Sequence, residues 1–359
     1  MERTICFDLE GPLSPQDNAY AVMKQIGKDG ASIFEVLSRY DDIITLEGRE
    51  GYEPGDTLAL VIPFLLLHGI TEEDIRRVSE GAKIVDGAEY LSTLLQSENW
   101  DIYIISTSYE HHAYNIGRKL GIEPQNIICT ELDLERKERD IRDKVAFFSL
   151  IEQAEEDIIE LYSRIDEPAL IASRLDEFFF RQLPSYGFDV FGTRVIGGER
   201  KAEAVRAIAK EKGVALNEVI AVGDSITDYK MLEEVATHGG ISVVFNGNEY
   251  AVPYGNVGLA SGDIRFLQIL CDAFVRGGKQ EVMAVVSEWE DNRDYFKSNP
   301  GDIPDNCITE YIRDFIMKQD LPLPYFHNIE RADERGREGI IRIHKRVRIQ
   351  VREDAGKLG

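Results

Sequence analysis

Acidic side chains follow two apolar segments of the sequence, at the point where each segment ends. The acids are Asp8 and Glu10 after TICF, and Asp224 and Asp228 after VIAV. The carboxyl ends of parallel strands meet at one crevice of an open α/β sheet, so we expect the four carboxylates to converge. Crowded carboxylates repel each other at low dielectric and stay ionised only beside a cation. Because Mg²⁺ prefers oxygen ligands, the four acids together predict a magnesium site.

Three further polar residues complete a set that suits phosphoryl transfer. Ser106 and Thr107 follow a third apolar segment, IYII, and Lys201 begins a helical segment. Magnesium and Lys201 would neutralise the phosphoryl oxygens, while Ser106, or Thr107 beside it, would hold one of them. Asp8 would attack phosphorus and form an aspartyl-phosphate. Glu10, two residues further along an extended segment, points the same way and would act as general acid and base.

Several of these residues also have a simpler structural interpretation. Asp8 can cap the turn after its strand. Asp224 and Asp228 precede a helical segment, whose N-terminus favours acids in any case. Asp228 can also orient Lys201 and leave the metal to Asp224. These alternatives stay open for each residue taken alone, and the catalytic interpretation depends on the four segments meeting in space.

Apolar, strand-like segments alternate with helical ones along the elements that carry these residues. We predict strands over residues 4–7, 102–105, 126–130, 219–222, 241–245 and 256–259. Helices are predicted over residues 109–120 and 201–212, each followed by a glycine that is typical of a helix C-terminus. This alternation predicts an α/β fold with a Rossmann-like parallel sheet that helices cover on both faces.

Three segments fall outside this alternation. Residues 14–85 have an amphipathic, helical pattern, and residues 131–189 combine dense charge with apolar residues at helical spacing. Residues 276–359 form a C-terminal extension. Within the extension, the alternating run over residues 341–349 predicts a basic strand at the edge of a sheet. The charges of such a strand would protect the edge or contact an acidic partner.

The net charge of −24 limits the classes of function. A surface this acidic repels nucleic-acid phosphates and anionic lipids, so we expect no nucleic-acid partner. The longest apolar run, residues 58–67, is too short to span a bilayer, so we expect no membrane insertion. The four cysteines are widely spaced and suit a reducing compartment. Together these features predict a cytoplasmic protein.

The segments FDLEGPL, IYIIST, GGERKAEAV and GDSITD resemble, in this order, the four motifs of the haloacid dehalogenase superfamily. The first and last are fairly specific as a pair, because each follows a strand-like segment. Residues 241–263 also resemble the last strands of the phosphoserine-phosphatase-like branch, which implies that Asn246 is a supporting contact to phosphate. The resemblance implies a catalytic core over residues 1–13, 86–130 and 190–275, a helical cap over 14–85 and a helical insertion over 131–189.

The resemblance also implies an activity. The expected function is Mg²⁺-dependent hydrolysis of a small-molecule phosphomonoester through an aspartyl-phosphate, with transfer to a second substrate, as in a mutase, left open. The alternative is a protein of the same fold with little or no turnover that serves as a binding or regulatory subunit. As a whole, the chain also resembles an archaeal group known as subunit R of an energy-converting hydrogenase. A homodimer or a protein partner, held through the inserted helices, stays open as well.

The sequence departs from the superfamily pattern at two positions. Glu10 stands where the phosphatases usually carry Asp, and a displacement of about 1 Å in an active site can cost on the order of a hundredfold in rate. Pro12 stands where Thr is usual, and it removes a backbone N–H donor. Both changes favour the alternative of a non-catalytic subunit, and neither affects the expected fold.

Overall fold

The fold is organised around one seven-stranded sheet, taken from a computed structural model that describes residues 3–319 and 322–357. The order across the sheet is β3-β2-β1-β4-β5-β6-β7, and every neighbouring pair is parallel except β6 and β7. The six parallel strands fall on the six predicted segments, so the α/β, Rossmann-like fold class is confirmed. The strands are β1 (Arg3–Phe7), β2 (Trp100–Tyr109), β3 (Ile127–Thr130), β4 (Val219–Gly223), β5 (Ile241–Phe245), β6 (Val257–Ala260) and β7 (Tyr325–Asn328).

Helices occupy the segments between and after the strands. In the first half of the chain they are α1 (Asn18–Met23), α2 (Gly30–Leu46), α3 (Thr57–Leu60), α4 (Ile62–Leu67), α5 (Glu72–Glu80), α6 (Ala88–Ser97), α7 (Glu110–Lys119), α8 (Leu134–Asp140), α9 (Lys144–Tyr162) and α10 (Pro168–Glu177). In the second half they are α11 (Leu183–Ser185), α12 (Glu199–Lys212), α13 (Tyr229–Thr237), α14 (Leu267–Ser298), α15 (Glu310–Gln319) and α16 (Glu334–Arg352).

Both faces of the sheet are covered, as the continuous apolar strands require. In β1, Ile5 and Phe7 point to one face and belong to a cluster with residues of α6, α7 and α14. Cys6 points to the other face and packs with residues of α12 and α13. Both faces of the central strand β1 are therefore buried against hydrophobic clusters, and this burial fixes the position of its carboxyl end.

The helices of the two insertions pack together on a single hydrophobic cluster. Phe34 and Leu37 of α2 belong to this cluster, and so do Phe147 and Ile151 of α9. Residues 14–85 and 131–189 therefore contribute to one helical body, although they are separated in sequence by two strands of the sheet. Their division into a cap and a second insertion stays a prediction.

The C-terminal extension is integrated into the core. Helix α14 is interrupted at Gly277 and Gly278, and β7 then adds to the sheet beside β6. The prediction of a basic edge strand over residues 341–349 is wrong, because these residues lie in α16. The same sequence also places Ile340, His344 and Val347 on one helical face, and burial of that face outweighs the two-residue alternation.

No helix within the described ranges has the length and apolar character needed to cross a membrane. The four cysteines are free thiols, and Cys6, Cys271 and Cys307 are buried. These cysteines therefore act as small apolar residues in the packing of the protein.

Two buried histidines hold α16 against the sheet. The backbone N–H of Gly247 donates to Nδ1 of His344 at 3.1 Å, and Nε2 of His344 lies 3.3 Å from Nδ1 of His327 in β7. Because Nδ1 of His344 accepts, Nε2 carries the proton and donates to His327. Burial, and then the neighbouring His327, hold the pKa of His344 well below its ordinary value. Burial likewise lowers the pKa of His327 to about 4.

We predict that this pair makes the fold sensitive to acid. Below the ordinary histidine pKa of 6.5 the unfolded chain takes up protons that the folded chain does not bind until near pH 4. Each neutral imidazole therefore makes its full contribution to the free energy of unfolding above about pH 6.5. This contribution is lost as the pH falls, by up to about 1.4 kcal/mol per pH unit. In His344→Asn, whose amide oxygen can still accept from Gly247, the free energy of unfolding in urea should fall less between about pH 7 and about pH 5 than in the wild type.

The matched control is His238→Asn, which changes the exposed histidine that follows the last residue of α13. This variant should keep the pH dependence of the wild type. Equal pH dependence in the wild type and in His344→Asn would contradict the account of the buried pair.

Candidate functional site

The ends of β1 and β4 bring the predicted acids together. Phe7 pairs with Val222, and the N–H of Asp8 continues the ladder by donating to the carbonyl of Val222 at 2.8 Å. One carboxylate oxygen from each of Asp8, Asp224 and Asp228 lies within 4.8 Å of the others, and all three residues are buried. The sheet topology therefore produces the convergence that the sequence predicts for three of the four acids.

Lys201 lies between two of these acids. Its Nζ donates to Oδ1 of Asp8 at 2.6 Å and to Oδ1 of Asp228 at 2.7 Å, and its side chain is fully buried. Burial opposes its charge, but Asp228 and Asp8 hold the pKa of Lys201 above its ordinary value. Removing one member of such a buried pair leaves an uncompensated charge, which typically costs about 3–5 kcal/mol. Lys201 is therefore a fixed cation of the site rather than a solvated lysine.

Asp228 uses both of its carboxylate oxygens. Oδ1 accepts from Lys201, and Oδ2 accepts from the backbone N–H groups of Asp224 at 2.9 Å and Ser225 at 3.1 Å. These contacts suit the simpler role considered for Asp228, in which it orients Lys201 and the turn after β4. Its role as a metal ligand stays a prediction.

Asp224 has one oxygen that suits a cation. Its Oδ1 is buried and has no hydrogen-bond partner within the described residues. A buried polar atom without a partner typically costs about 1–3 kcal/mol, and a carboxylate oxygen is a natural ligand for a hard cation.

The pKa of Asp8 reflects the same crowding of carboxylates. Burial, followed by repulsion from Asp228, raises this pKa to about 7 against the attraction of Lys201. The donor set of Asp8, Asp224 and Asp228 thus fits a divalent ion such as Mg²⁺.

The other oxygen of Asp224 receives two arginines that the sequence analysis missed. Nη1 of Arg352 donates to Oδ2 at 2.9 Å, and Nη1 of Arg348 donates to the same oxygen. Both arginines come from α16 and are four residues apart, so they share one helical face. The four-residue spacing was visible in the sequence, but the predicted strand covered residues 341–349 only, so it left Arg352 outside and gave the two arginines no shared helical face.

Glu10 lies outside the group of three clustered carboxylates. Its Oε1 accepts from the backbone N–H of Asn18 at 2.9 Å and lies 3.8 Å from Nε2 of His112. Nε2 of His112 is buried and has no hydrogen-bond partner within the described residues. Burial, followed by the charge of Asp17, raises the pKa of Glu10 to about 8. Glu10 is therefore protonated at neutral pH, as a general acid must be, and its assignment as a metal ligand stays a prediction.

The predicted phosphate-binding residues occupy different positions. Ser106 is fully buried, and its hydroxyl oxygen accepts from the N–H of Ser108 at 3.0 Å. Thr107 lines the cavity above Asp8. The amide of Asn246 donates to the carbonyl of Ser261 and accepts from its N–H, so this side chain holds the loop after β6. Contacts of Ser106, Thr107 and Asn246 with phosphate stay predictions.

The cavity at this site has a volume of about 80 Å³. Its walls come from three parts of the chain, namely the strand ends, the helical body and α16. The ionisable residues that line it are Asp8, Glu10, Asp17, Asp41, Asp42, Arg348 and Arg352.

Known proteins resemble this chain in sequence and in structure. Residues 87–249 match the model of the haloacid dehalogenase-like hydrolase family. A phosphoserine phosphatase of Archaeoglobus fulgidus is 21% identical over 248 residues. That match covers 69% of this chain and 54% of the relative, so the chain spans about half the length of the curated relative it matches.

A solved structure of a gene product from Archaeoglobus fulgidus resembles the whole fold. It is 26% identical to this chain, with a TM-score of 0.77, and the similarity covers 100% of this chain and 99% of the other. The similarity therefore includes the C-terminal extension as well as the sheet.

Gly11 provides a test of the packing around Asp224. Its φ of +119° is unfavourable for other residues, and a Cβ at this position would overlap the Asp224 carboxylate. We predict that Gly11→Ala lowers the free energy of unfolding by about 1–3 kcal/mol, measured in urea. The control is Gly262→Ala, where a Cβ meets open space and φ is not positive, so stability should change little. Equal stability of the two variants would contradict this description of the turn.

Proposed function

Because this chain belongs to the haloacid dehalogenase superfamily, we propose that it is a Mg²⁺-dependent phosphatase that hydrolyses a small-molecule phosphomonoester. The observation that carries the proposal is the contact of Asp8 with Lys201 inside a group of three buried carboxylates. A buried carboxylate beside a fixed cation, at the carboxyl edge of a parallel sheet, supports nucleophilic attack on an anionic ester. The curated phosphatase relative supports the same class of reaction.

In the first step, an oxygen of Asp8 attacks phosphorus, and the bond between phosphorus and the ester oxygen breaks. The product on the protein is an aspartyl-phosphate, and Glu10 gives its proton to the departing alkoxide. Lys201 contacts Asp8 directly and would stabilise negative charge on the transferred group. Glu10 lines the same cavity as Asp8, and its raised pKa keeps the required proton in place.

In the second step, Glu10 takes a proton from water, and the water oxygen attacks phosphorus. The bond between phosphorus and the Asp8 oxygen breaks, which releases inorganic phosphate and restores both side chains. Asp8 and Asp224 would hold Mg²⁺, and Asp228 would either join them as a ligand or only orient Lys201. When bound, the ion would neutralise phosphoryl oxygens.

A second candidate function is a binding or regulatory subunit with weak or no turnover. The observation that favours it is the pairing of Asp224 with Arg348 and Arg352, which compete with a metal for this carboxylate. A protein partner or a homodimer, and a cytoplasmic location, remain predictions from the sequence. The two candidate functions predict different results in one assay, because only a phosphatase releases phosphate, and it does so only when Asp8 is intact.

We predict that the wild type releases phosphate from an aryl phosphate in the presence of Mg²⁺, and that Asp8→Asn does not. The amide is isosteric but cannot form the aspartyl-phosphate, so the rate should fall to that of the solution without protein. Asp294→Asn, an exposed residue of α14, is the matched control and should keep the wild-type rate. Mass spectrometry of the acid-quenched protein should detect the added phosphoryl group only where Asp8 is intact.

Phosphate release that survives Asp8→Asn would contradict the assignment of the nucleophile. Inactivity of the wild type and the variant alike, with metal binding intact, would favour the subunit function.

Glu10 gives a pH-dependent prediction. As a general acid it must be protonated, so the rate for an alkyl phosphate should decline as the pH rises through about 8. Glu10→Gln should lower that rate by about 10²–10⁴-fold and remove the decline, because no group is left to lose its proton. An aryl phosphate with a good leaving group should lose much less in its first step. The exposed Glu338→Gln is the control, and an unchanged profile in Glu10→Gln would exclude Glu10 as the acid.

A further inference from the structure

Helix α16 places three polar side chains in the interior of the protein. His344, Arg348 and Arg352 recur every four residues, and their exposed fractions are 0%, 2% and 8%. Charged residues are seldom buried unless they are paired, so two buried guanidinium groups on one helical face need a reason. The row ends at the cavity that also contains Asp8.

The contacts of the two arginines are directed at one carboxylate. Arg348 and Arg352 both donate to Oδ2 of Asp224, and Arg348 also donates to its backbone carbonyl at 3.3 Å. Nε of Arg352 donates to the carbonyl of Pro15 at 3.2 Å. Arg352 is also attracted by Asp17 and Asp8, in addition to Asp224. The two guanidinium groups therefore line the same cavity as Asp8.

The three clustered carboxylates are balanced by cations of the protein without a metal. Three carboxylates, Asp8, Asp224 and Asp228, are paired directly with three cations, Lys201, Arg348 and Arg352. A divalent cation that entered this neutral group alone would add two positive charges beside two buried arginines. A phosphate dianion that entered with the metal would keep the group neutral. Guanidinium groups also suit phosphate particularly well, because their planar donors can bind two oxygens at once.

We propose that Arg348 and Arg352 are phosphate-binding residues of this site, and that they exchange Asp224 for the phosphoryl group of the substrate. Oδ1 of Asp224 already suits a cation, and its affinity for Mg²⁺ increases when the arginines turn from Oδ2 to the anion, so metal and phosphate bind as a neutral pair. This inference rests on the proposed function. It gives the C-terminal extension a direct part in substrate binding.

The proposal requires that Mg²⁺ and phosphate increase each other's affinity by the same factor, since coupling between two ligands is reciprocal. Isothermal titration calorimetry of the full chain with Mg²⁺, in the absence and presence of inorganic phosphate, measures this factor without any turnover. In the wild type, saturating phosphate should raise the affinity for Mg²⁺ by about tenfold or more.

The variants Arg348→Gln and Arg352→Gln remove one positive charge each. Each should bind Mg²⁺ about tenfold more tightly than the wild type without phosphate, bind phosphate more weakly, and have a coupling factor closer to one. Arg352→Lys keeps the charge and should retain weak binding of Mg²⁺ alone. The matched control is Arg342→Gln on the exposed face of α16, which should behave as the wild type.

Three results would overturn the proposal. Weaker binding of Mg²⁺ in the Gln variants would mean that the arginines orient Asp224 for the metal. Independent binding of Mg²⁺ and phosphate in the wild type would exclude the coupling, and this measurement needs no variant to fold. In both cases the proposed phosphatase function survives. A wild type that binds no Mg²⁺ with or without phosphate would overturn the proposed function, and this inference with it.

Discussion

The mutual repulsion of three buried carboxylates is the constraint on which the rest of the structure depends. Parallel pairing of β1 with β4 brings Asp8, Asp224 and Asp228 within a few ångströms of one another, where water cannot screen them. This negative charge is compensated by cations from two distant segments, namely Lys201 at the start of α12 and the arginines of α16. Each cation is buried and is directed at a carboxylate by the helix that carries it. The strand pairing that builds the sheet therefore also creates the need for buried cations at the site.

Much of the fold and part of the site could be predicted from the sequence, because the relevant signals are local. Each parallel strand is a short apolar run, and the acids follow directly after two of these runs. Lys201 stands at the start of a helix whose pattern is clear. Where a functional residue is adjacent to the element that positions it, topology alone brings the pieces together.

The parts that could not be predicted depend on contacts between distant segments. The run over residues 341–349 alternates like a strand, and only the burial of one face against the sheet makes it a helix. Consequently Arg348 and Arg352 could not be placed beside Asp224, which is more than a hundred residues away in sequence. Glu10 was a similar case, since its environment depends on Asn18 and His112, which belong to the helical body and to α7.

The position of α16 also bears on how the protein matures during synthesis. The central strand β1 and Asp8 are synthesised before Arg352, which helps to neutralise the same cluster and emerges from the ribosome more than three hundred residues later. Domains tend to fold as units during synthesis, beginning from the N-terminus. Here a nascent chain that has completed β1 to β6 still lacks two of its three compensating cations. The acidic crevice stays electrostatically incomplete until α16 docks, so the candidate site depends on a segment that is synthesised long after β1.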